Sequence, residues 1–258
     1  MTVLLFGNKA IGDNISFVLP LYKYLSLSYT VDCILPNFEA FKLFSNIPFI
    51  KNLSLADNLD GAEYTKIFPN YDKVYLCSRG MYSRFANFGE NICSDIKKET
   101  KINYWPHDIF DRFGFEYLSE YGVLDIDWYK DYYIDFNCSS KSVLLHTVAS
   151  VESKSYNKKD ELKSLLEKEG FEVFTIDLEM DIRSNLHLIN QVKYILTVDT
   201  SVVWMAFALG KEPFVFMYRK EYTEGLLGLK NLVPWYSTLN EIPPDVIANC
   251  FLGRLIHS

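Results

Sequence analysis

The chain has 258 residues, a net charge of -7, and 49% apolar and 16% aromatic side chains, so it holds ample material for packed cores and is no disordered polymer. A pI near 5.2 excludes the overall basic footprint of a dedicated nucleic-acid binder, although a local basic patch can sit on an acidic body. The five cysteines (Cys33, Cys77, Cys93, Cys138, Cys250) show no C-x-x-C and no zinc-type spacing to histidine, which argues against a metal site and reads as reduced, mostly buried thiols.

The first apolar stretch is short and runs into Gly and Asp rather than a cleavage site, and no run approaches the roughly 18 apolar residues of a spanning helix. The expectation is a cytoplasmic protein. Along the chain, Thr2-Val-Leu-Leu-Phe-Gly7 reads as a strand and 15–25 as an apolar helix, joined by Asn8-Lys-Ala-Ile-Gly-Asp-Asn14. Strands follow at 31–35, 49–53 and 71–77, with a helix at 38–44. Residues 78–106 lack clean periodicity and read as a long loop with short helical pieces, and helical spacing returns over 107–121.

A second half opens after Asn137-Cys-Ser-Ser140. Strands are expected at 142–146, 172–176, 194–198 and 213–217, alternating with helices at 158–169, 181–191 and 202–209; Gly170 stands where a helix C-terminus needs a residue at positive φ. Pro243-Pro244 opens a last helix. Its apolar stretch, 246–256, is amphipathic enough either to dock on the protein, including back onto the first half, or to make peripheral membrane contact. The alternation predicts an α/β protein of two Rossmann-like parallel-sheet domains, 1–138 and 139–258, facing a cleft at the carboxyl ends of their strands.

Two strand–helix junctions carry polar residues where free backbone N–H groups and the helix dipole favour an anion: Gly12-Asp13 in the first half, and Asp199-Thr-Ser201 in the second. Gly12-Asp13, followed by Pro20 and a Leu-rich helix, resembles the opening of glycosyltransferase family 9, the ADP-heptose:lipopolysaccharide heptosyltransferases and their relatives. Val143-Leu-Leu-His-Thr-Val-Ala-Ser150 with Ser153-Lys154-Ser-Tyr156 resembles that family's strand, small-residue loop and Lys-x-Trp segment. Val198-Asp-Thr-Ser201 through Ala206-Phe-Ala-Leu-Gly-Lys211 resembles its Asp-Thr-Gly…His…Ala-Ala-Leu-Gly-Lys signature. Ser201 stands where the family usually has Gly, Trp204 where it has His, and the chain is shorter, with the loss in the N-terminal half.

The resemblance implies a GT-B-like fold and an inverting transfer of a sugar from a nucleotide-diphosphate donor, held by the C-terminal domain, to a hydroxyl acceptor on the N-terminal domain. It also implies that Asp13 is the general base; on position alone, Asp13 could instead N-cap the following helix. The N–H groups and hydroxyls of Thr200 and Ser201 suit a diphosphate without metal, or else make an ordinary helix start. Lys154 suits the charge developing on the leaving group, unless it is a solvated loop lysine, and Ser150 suits a hydrogen bond from the same loop. Asp199 reads as a residue pinning the turn, Trp204 as donor packing or core, and His146 as a hydrogen-bonding core residue. Asp125-Ile-Asp127 matches a D-x-D metal motif but follows no convincing strand, so neither metal nor cofactor is expected.

Residues 79–105 hold five basic groups (Arg79, Arg84, Lys97, Lys98, Lys101) against three acidic, interleaved with aromatics such as Tyr82 and Trp105. This suits an acceptor that is a phosphorylated glycolipid, an oligosaccharide or modified DNA, with a solvated loop as the plain alternative. A glycan or glycolipid acceptor is favoured over a hydroxymethylated base in DNA of the kind phage glycosyltransferases modify, and no obligate protein partner is implied. A non-catalytic nucleotide-sugar-binding module is the reading from another class, supported by the Ser201 and Trp204 departures. A dinucleotide oxidoreductase is disfavoured because 6–12 lacks G-x-G-x-x-G.

Overall fold

The computed structural model describes residues 1–56, 66–77, 92–93, 110, 113–116, 118–150, 152–216 and 238–257. They form two compact units, Met1–Leu124 and Asp125–Ser258. Each is built on a wholly parallel sheet.

In the first unit, β1 (Thr2–Phe6) lies at the centre, with β2 (Thr30–Leu35) and β3 (Asn52–Leu55) on one side and β4 (Lys73–Leu76) and β5 (Ile92–Cys93) on the other. Val3, Leu4, Leu5 and Phe6 are all buried, as a strand covered on both faces requires. Leu4 and Phe6 pack with Ile34, Phe68, Val74 and Leu76. The first helix is continuous but not uniform: α1 (Ile11–Asp13), a π-turn (Asn14–Val18) and α2 (Leu19–Ser26) follow directly on one another. It therefore begins earlier than the apolar run at 15–25 suggests. Helix α3 (Phe38–Phe44) is capped by Asn37, whose side chain accepts from the Ala40 N–H at 2.8 Å. Strand β5 falls inside the segment read as loop; of the expected helix at 107–121, residues 107–109, 111–112 and 117 lie outside the described residues, Phe110 and Phe113 are helical, and Ser119–Gly122 is a 3₁₀ turn instead.

The second unit has four strands in the order β7 (Glu172–Phe174), β6 (Ser142–His146), β8 (Tyr194–Thr197), β9 (Phe214–Val215). Helix α4 (Lys159–Lys168) follows β6, α5 (Ile182–Gln191) follows β7 and α6 (Ser201–Ala208) follows β8. At the end of α4, Gly170 takes φ +82°, and the Gly170 and Phe171 N–H groups donate to Glu167 and Leu166, closing a Schellman cap. The last helix, α7 (Pro244–His257), buries Ile247, Ala248 and Phe251 in this unit's own core, where the Phe251 ring meets those of Phe171, Tyr194 and Phe214. This is the docking alternative, made on the C-terminal unit's own core.

The second unit begins at Asp125, earlier than the expected boundary at 138/139, because residues 125–137 are strapped along α5. Tyr129 is fully buried and its carbonyl lies 2.8 Å from His187 Nε2. The Arg183 guanidinium stacks on the Tyr132 ring at 3.5 Å, and the Gln191 amide ties the Ile134 carbonyl and the Phe136 N–H. Asp125 itself caps this strap by accepting from the Asp127 N–H at 3.0 Å, so the D-x-D sequence does a turn's work. No helix among the described residues is long and apolar enough to cross a membrane.

Candidate functional site

In both sheets the central strands mark the point where successive crossovers turn to opposite sides, and in such sheets ligands bind at the carboxyl ends of those strands. In the first unit that point lies between β1 and β4, so the loop after β1 is the one to inspect. It is held to an unusual degree. Asn14 is fully buried; its Oδ1 accepts from the Asn8 N–H at 2.8 Å, and its Nδ2 donates to the Asn8 and Ala10 carbonyls at 2.7 and 2.9 Å. Asn37 Nδ2 donates to the Lys9 carbonyl at 2.7 Å, and Asn8 Nδ2 reaches across to the Cys77 carbonyl at the end of β4 at 3.2 Å. Gly7 permits the close approach: a Cβ there would lie 2.5 Å from Leu35 Cδ2 and 2.6 Å from Asn14 Oδ1.

Asp13 is the last residue of α1, half-buried, with helical φ -64° and ψ -38°, and its side chain caps neither α1 nor the π-turn. The capping alternative therefore does not describe it; Ala10 stands at the N-cap position, and the asparagine amides tie the loop instead.

In the second unit the crossover point lies between β6 and β8. The loop leaving β6 is folded back on itself: the Tyr156 N–H donates to the Thr147 carbonyl at 2.8 Å, and the Ala149 N–H donates to Ser155 Oγ at 2.9 Å. The buried Tyr156 hydroxyl anchors the loop by donating to the Ile242 carbonyl at 2.9 Å. A 3₁₀ turn at Glu152–Lys154 then presents Lys154 to the end of β8, where its Nζ donates to Asp199 Oδ2 at 2.6 Å. The Lys154 side chain is 42% exposed and that of Asp199 16%, so the pair sits at a surface with its carboxylate sunk. Lys154 is not the freely solvated lysine of the plain alternative, and Asp199 pins this lysine.

Beside that pair Thr200 has extended backbone and caps α6, its Oγ1 accepting from the Val202 N–H at 3.3 Å; Ser201 is the first helical residue and is half-buried. Lys154 and residues 199–201 thus set a carboxylate-bound ammonium beside a helix N-terminus. Ser150 lies on the same β6 loop and is exposed, while Trp204, one turn into α6, is buried against Phe207 at 6.3 Å between centroids.

His146 ends β6. Burial, with Lys159 adding to it, lowers its imidazole to about 4 against a hydrogen bond with the Val148 backbone, so it is neutral at neutral pH. This agrees with a hydrogen-bonded core residue. Cys33 and Cys77 are buried free thiols, and Cys138 and Cys250 are free and half-buried. The basic segment residues Arg79, Arg84, Lys97, Lys98 and Lys101 lie outside the described residues. A cavity of about 490 Å³ lined by Cys138, Ser140, Lys193 and Lys211, among others, opens at the amino ends of β6 and β8, the opposite ends from Lys154 and Asp199. Sequence reasoning missed Asn14, Asn8 and Asn37, and it missed that Lys154 and Asp199 are partners; Asn8 and Asn14 bracketing the loop after Gly7 were the available signal.

Two parallel, Rossmann-like sheets with both candidate loops at strand carboxyl ends define the α/β architecture of GT-B-type proteins. Over its whole length the chain is similar to the E. coli ADP-heptose lipopolysaccharide heptosyltransferase II, with a TM-score of 0.68 at 14% identity, covering 100% of this chain and 99% of that one. It is similar to a glycosyl transferase family 9 structure from Veillonella parvula, with a TM-score of 0.67 at 10% identity and coverage of 100% and 98%. The E. coli heptosyltransferase WaaC with ADP-2-deoxy-2-fluoro heptose matches with a TM-score of 0.61 at 12% identity, covering 98% and 100%. No family model and no curated protein sequence matches. The fold is that of these heptosyltransferases, as the Gly12-Asp13 and Val198–Lys211 resemblances imply.

Proposed function

We propose that this chain is a glycosyltransferase that moves a sugar from a nucleotide-diphosphate donor to a hydroxyl acceptor with inversion. The observation that carries the reading is the Lys154–Asp199 pair set beside the Thr200 cap of α6, on a fold shared end to end with enzymes solved around ADP-heptose chemistry. A diphosphate needs positive charge and N–H donors held in place before the bond breaks, and this crevice supplies both. In the proposed reaction the sugar–oxygen bond to the diphosphate breaks while the acceptor oxygen bonds to the anomeric carbon. Asp13 takes the acceptor hydroxyl's proton, and the departing nucleoside diphosphate keeps the electron pair against Lys154 and the Thr200 and Ser201 N–H groups. Asp199 holds the Lys154 ammonium, Ser150 offers a hydrogen bond from the same loop, and Trp204 backs the donor pocket from inside the helix.

The fold relatives favour a glycan or glycolipid acceptor. No metal is assigned a role, because the protein's own ammonium and helix terminus meet the diphosphate; turnover should therefore survive excess EDTA. The deciding experiment incubates the protein with a panel of ADP-, GDP-, UDP- and CDP-sugars, alone and with glycan, glycolipid and hydroxymethylated-DNA acceptors, and identifies the donor consumed and the product linkage. Release of a nucleoside diphosphate with an inverted linkage is expected. Tight nucleotide-sugar binding with no transfer to any acceptor would instead mark a non-catalytic binding module.

A further inference from the structure

We infer that Asn14 is the positioning residue of the N-terminal half-site: its buried amide clamps the β1–α1 loop and thereby sets the place of Asp13. The inference deepens, and rests on, the reading of Asp13 as the base. A base in its productive pose loses about a hundredfold in rate for a misplacement of 1 Å, so whatever fixes its backbone matters as much as its charge.

The Asp13 side chain makes no capping hydrogen bond. Asn14, its neighbour in the chain, sends its side chain backward instead. One amide engages the N–H and the carbonyl of Asn8 and the carbonyl of Ala10, at 2.8, 2.7 and 2.9 Å. The Asn14 backbone N–H reaches the same Ala10 carbonyl at 3.2 Å. With Asn8 Oδ1 accepting from the Ala10 N–H at 3.2 Å and Asn37 holding Lys9, the loop main chain is tied from both sides.

The local helix is distorted in the same place, since Asn14 opens the π-turn, a feature that recurs at functional sites. Only an asparagine supplies one acceptor and two donors from so short a stem: aspartate keeps the acceptor and loses both donors, and leucine loses all three. An amide needed merely to fill this buried place would have no reason to face three backbone groups of one loop.

The test compares Asn14→Asp, Asn14→Leu and Asn8→Ala with Asp13→Asn, using the nucleotide sugar and acceptor that the donor panel selects. Donor KM should stay within twofold, because the donor crevice is built by the other unit. The kcat should fall about tenfold in Asn14→Asp and a hundredfold in Asn14→Leu, with Asn8→Ala between the wild type and Asn14→Asp. Hydrogen exchange of the Asn8 amide, which needs no turnover, should be slow in the wild type and fast in Asn14→Leu and in Asn14→Ala, both of which remove its acceptor.

If Asp13→Asn abolishes transfer while a folded Asn14→Asp keeps full kcat, the positioning role is wrong and the base stands. Slow exchange of the Asn8 amide retained in Asn14→Leu or Asn14→Ala overturns the clamp outright. If Asp13→Asn itself transfers normally, the reading of the base fails, and the exchange result still decides whether the clamp exists. Should Asn14→Leu fail to fold, Asn14→Asp and Asn8→Ala carry the test.

Discussion

Replacing His146 by Gln should flatten the acid side of the stability profile. The imidazole titrates near 6.5 in an unfolded chain and at about 4 in the folded one, where burial and Lys159 oppose its charge. Near pH 7 both states are neutral and the residue is silent. As the pH falls below 6.5 the unfolded chain takes up a proton that the folded chain refuses until about pH 4, so stability is lost across that window. Worked through the two values, the loss between pH 7 and pH 5 is about 2 kcal/mol, and it saturates near 3 kcal/mol below pH 4. Urea unfolding at pH 7 and pH 5 of wild type and His146→Gln measures it. The wild type should lose about 2 kcal/mol more than the variant over that interval. Equal losses would refute the neutral, buried assignment.

Gly7→Ala should destabilise the N-terminal unit by about 1–3 kcal/mol in thermal or urea unfolding, since the new methyl would meet Leu35 Cδ2 at 2.5 Å and Asn14 Oδ1 at 2.6 Å. Lys154→Ala should lower kcat/KM by about 10²–10³-fold, the usual effect of removing one group that meets developing charge. Its stability should change by less than about 1 kcal/mol, because the lysine is 42% exposed. Asp199→Asn, which keeps the lysine but loosens it, should cost less in the same assay. A drop in stability without a drop in turnover would assign the pair to structure alone.

The parts of the fold that were legible in the chain are those set by short-range patterns. Val3 to Phe6 and Val143 to Leu145 are continuous apolar runs because parallel strands are covered on both faces, and Gly170 announced the end of α4. Strand β5 has only two residues, Ile92 and Cys93, too few to leave a period, and so it read as loop. Gly12-Asp13-Asn14 read as the junction before a helix starting at 15; in the fold the Asn14 amide serves the loop, and the residues themselves are helical. The strap over α5 escaped because His187 meets the Tyr129 carbonyl across 58 positions. The Lys154–Asp199 pair spans 45, a distance no local pattern covers. The Val198–Lys211 resemblance pointed to the loop after β8, and the pairing of β6 with β8 brings Lys154 of the β6 loop to its Asp199.

The central claim is that the Asp13 carboxylate is the base of the proposed transfer, and Asp13→Asn tests it most directly. The change keeps shape and removes only basicity, so the account predicts at least a hundredfold loss of transfer, with the donor's affinity by calorimetry and the melting temperature both unchanged. Turnover at the wild-type rate in a folded Asp13→Asn protein would contradict it.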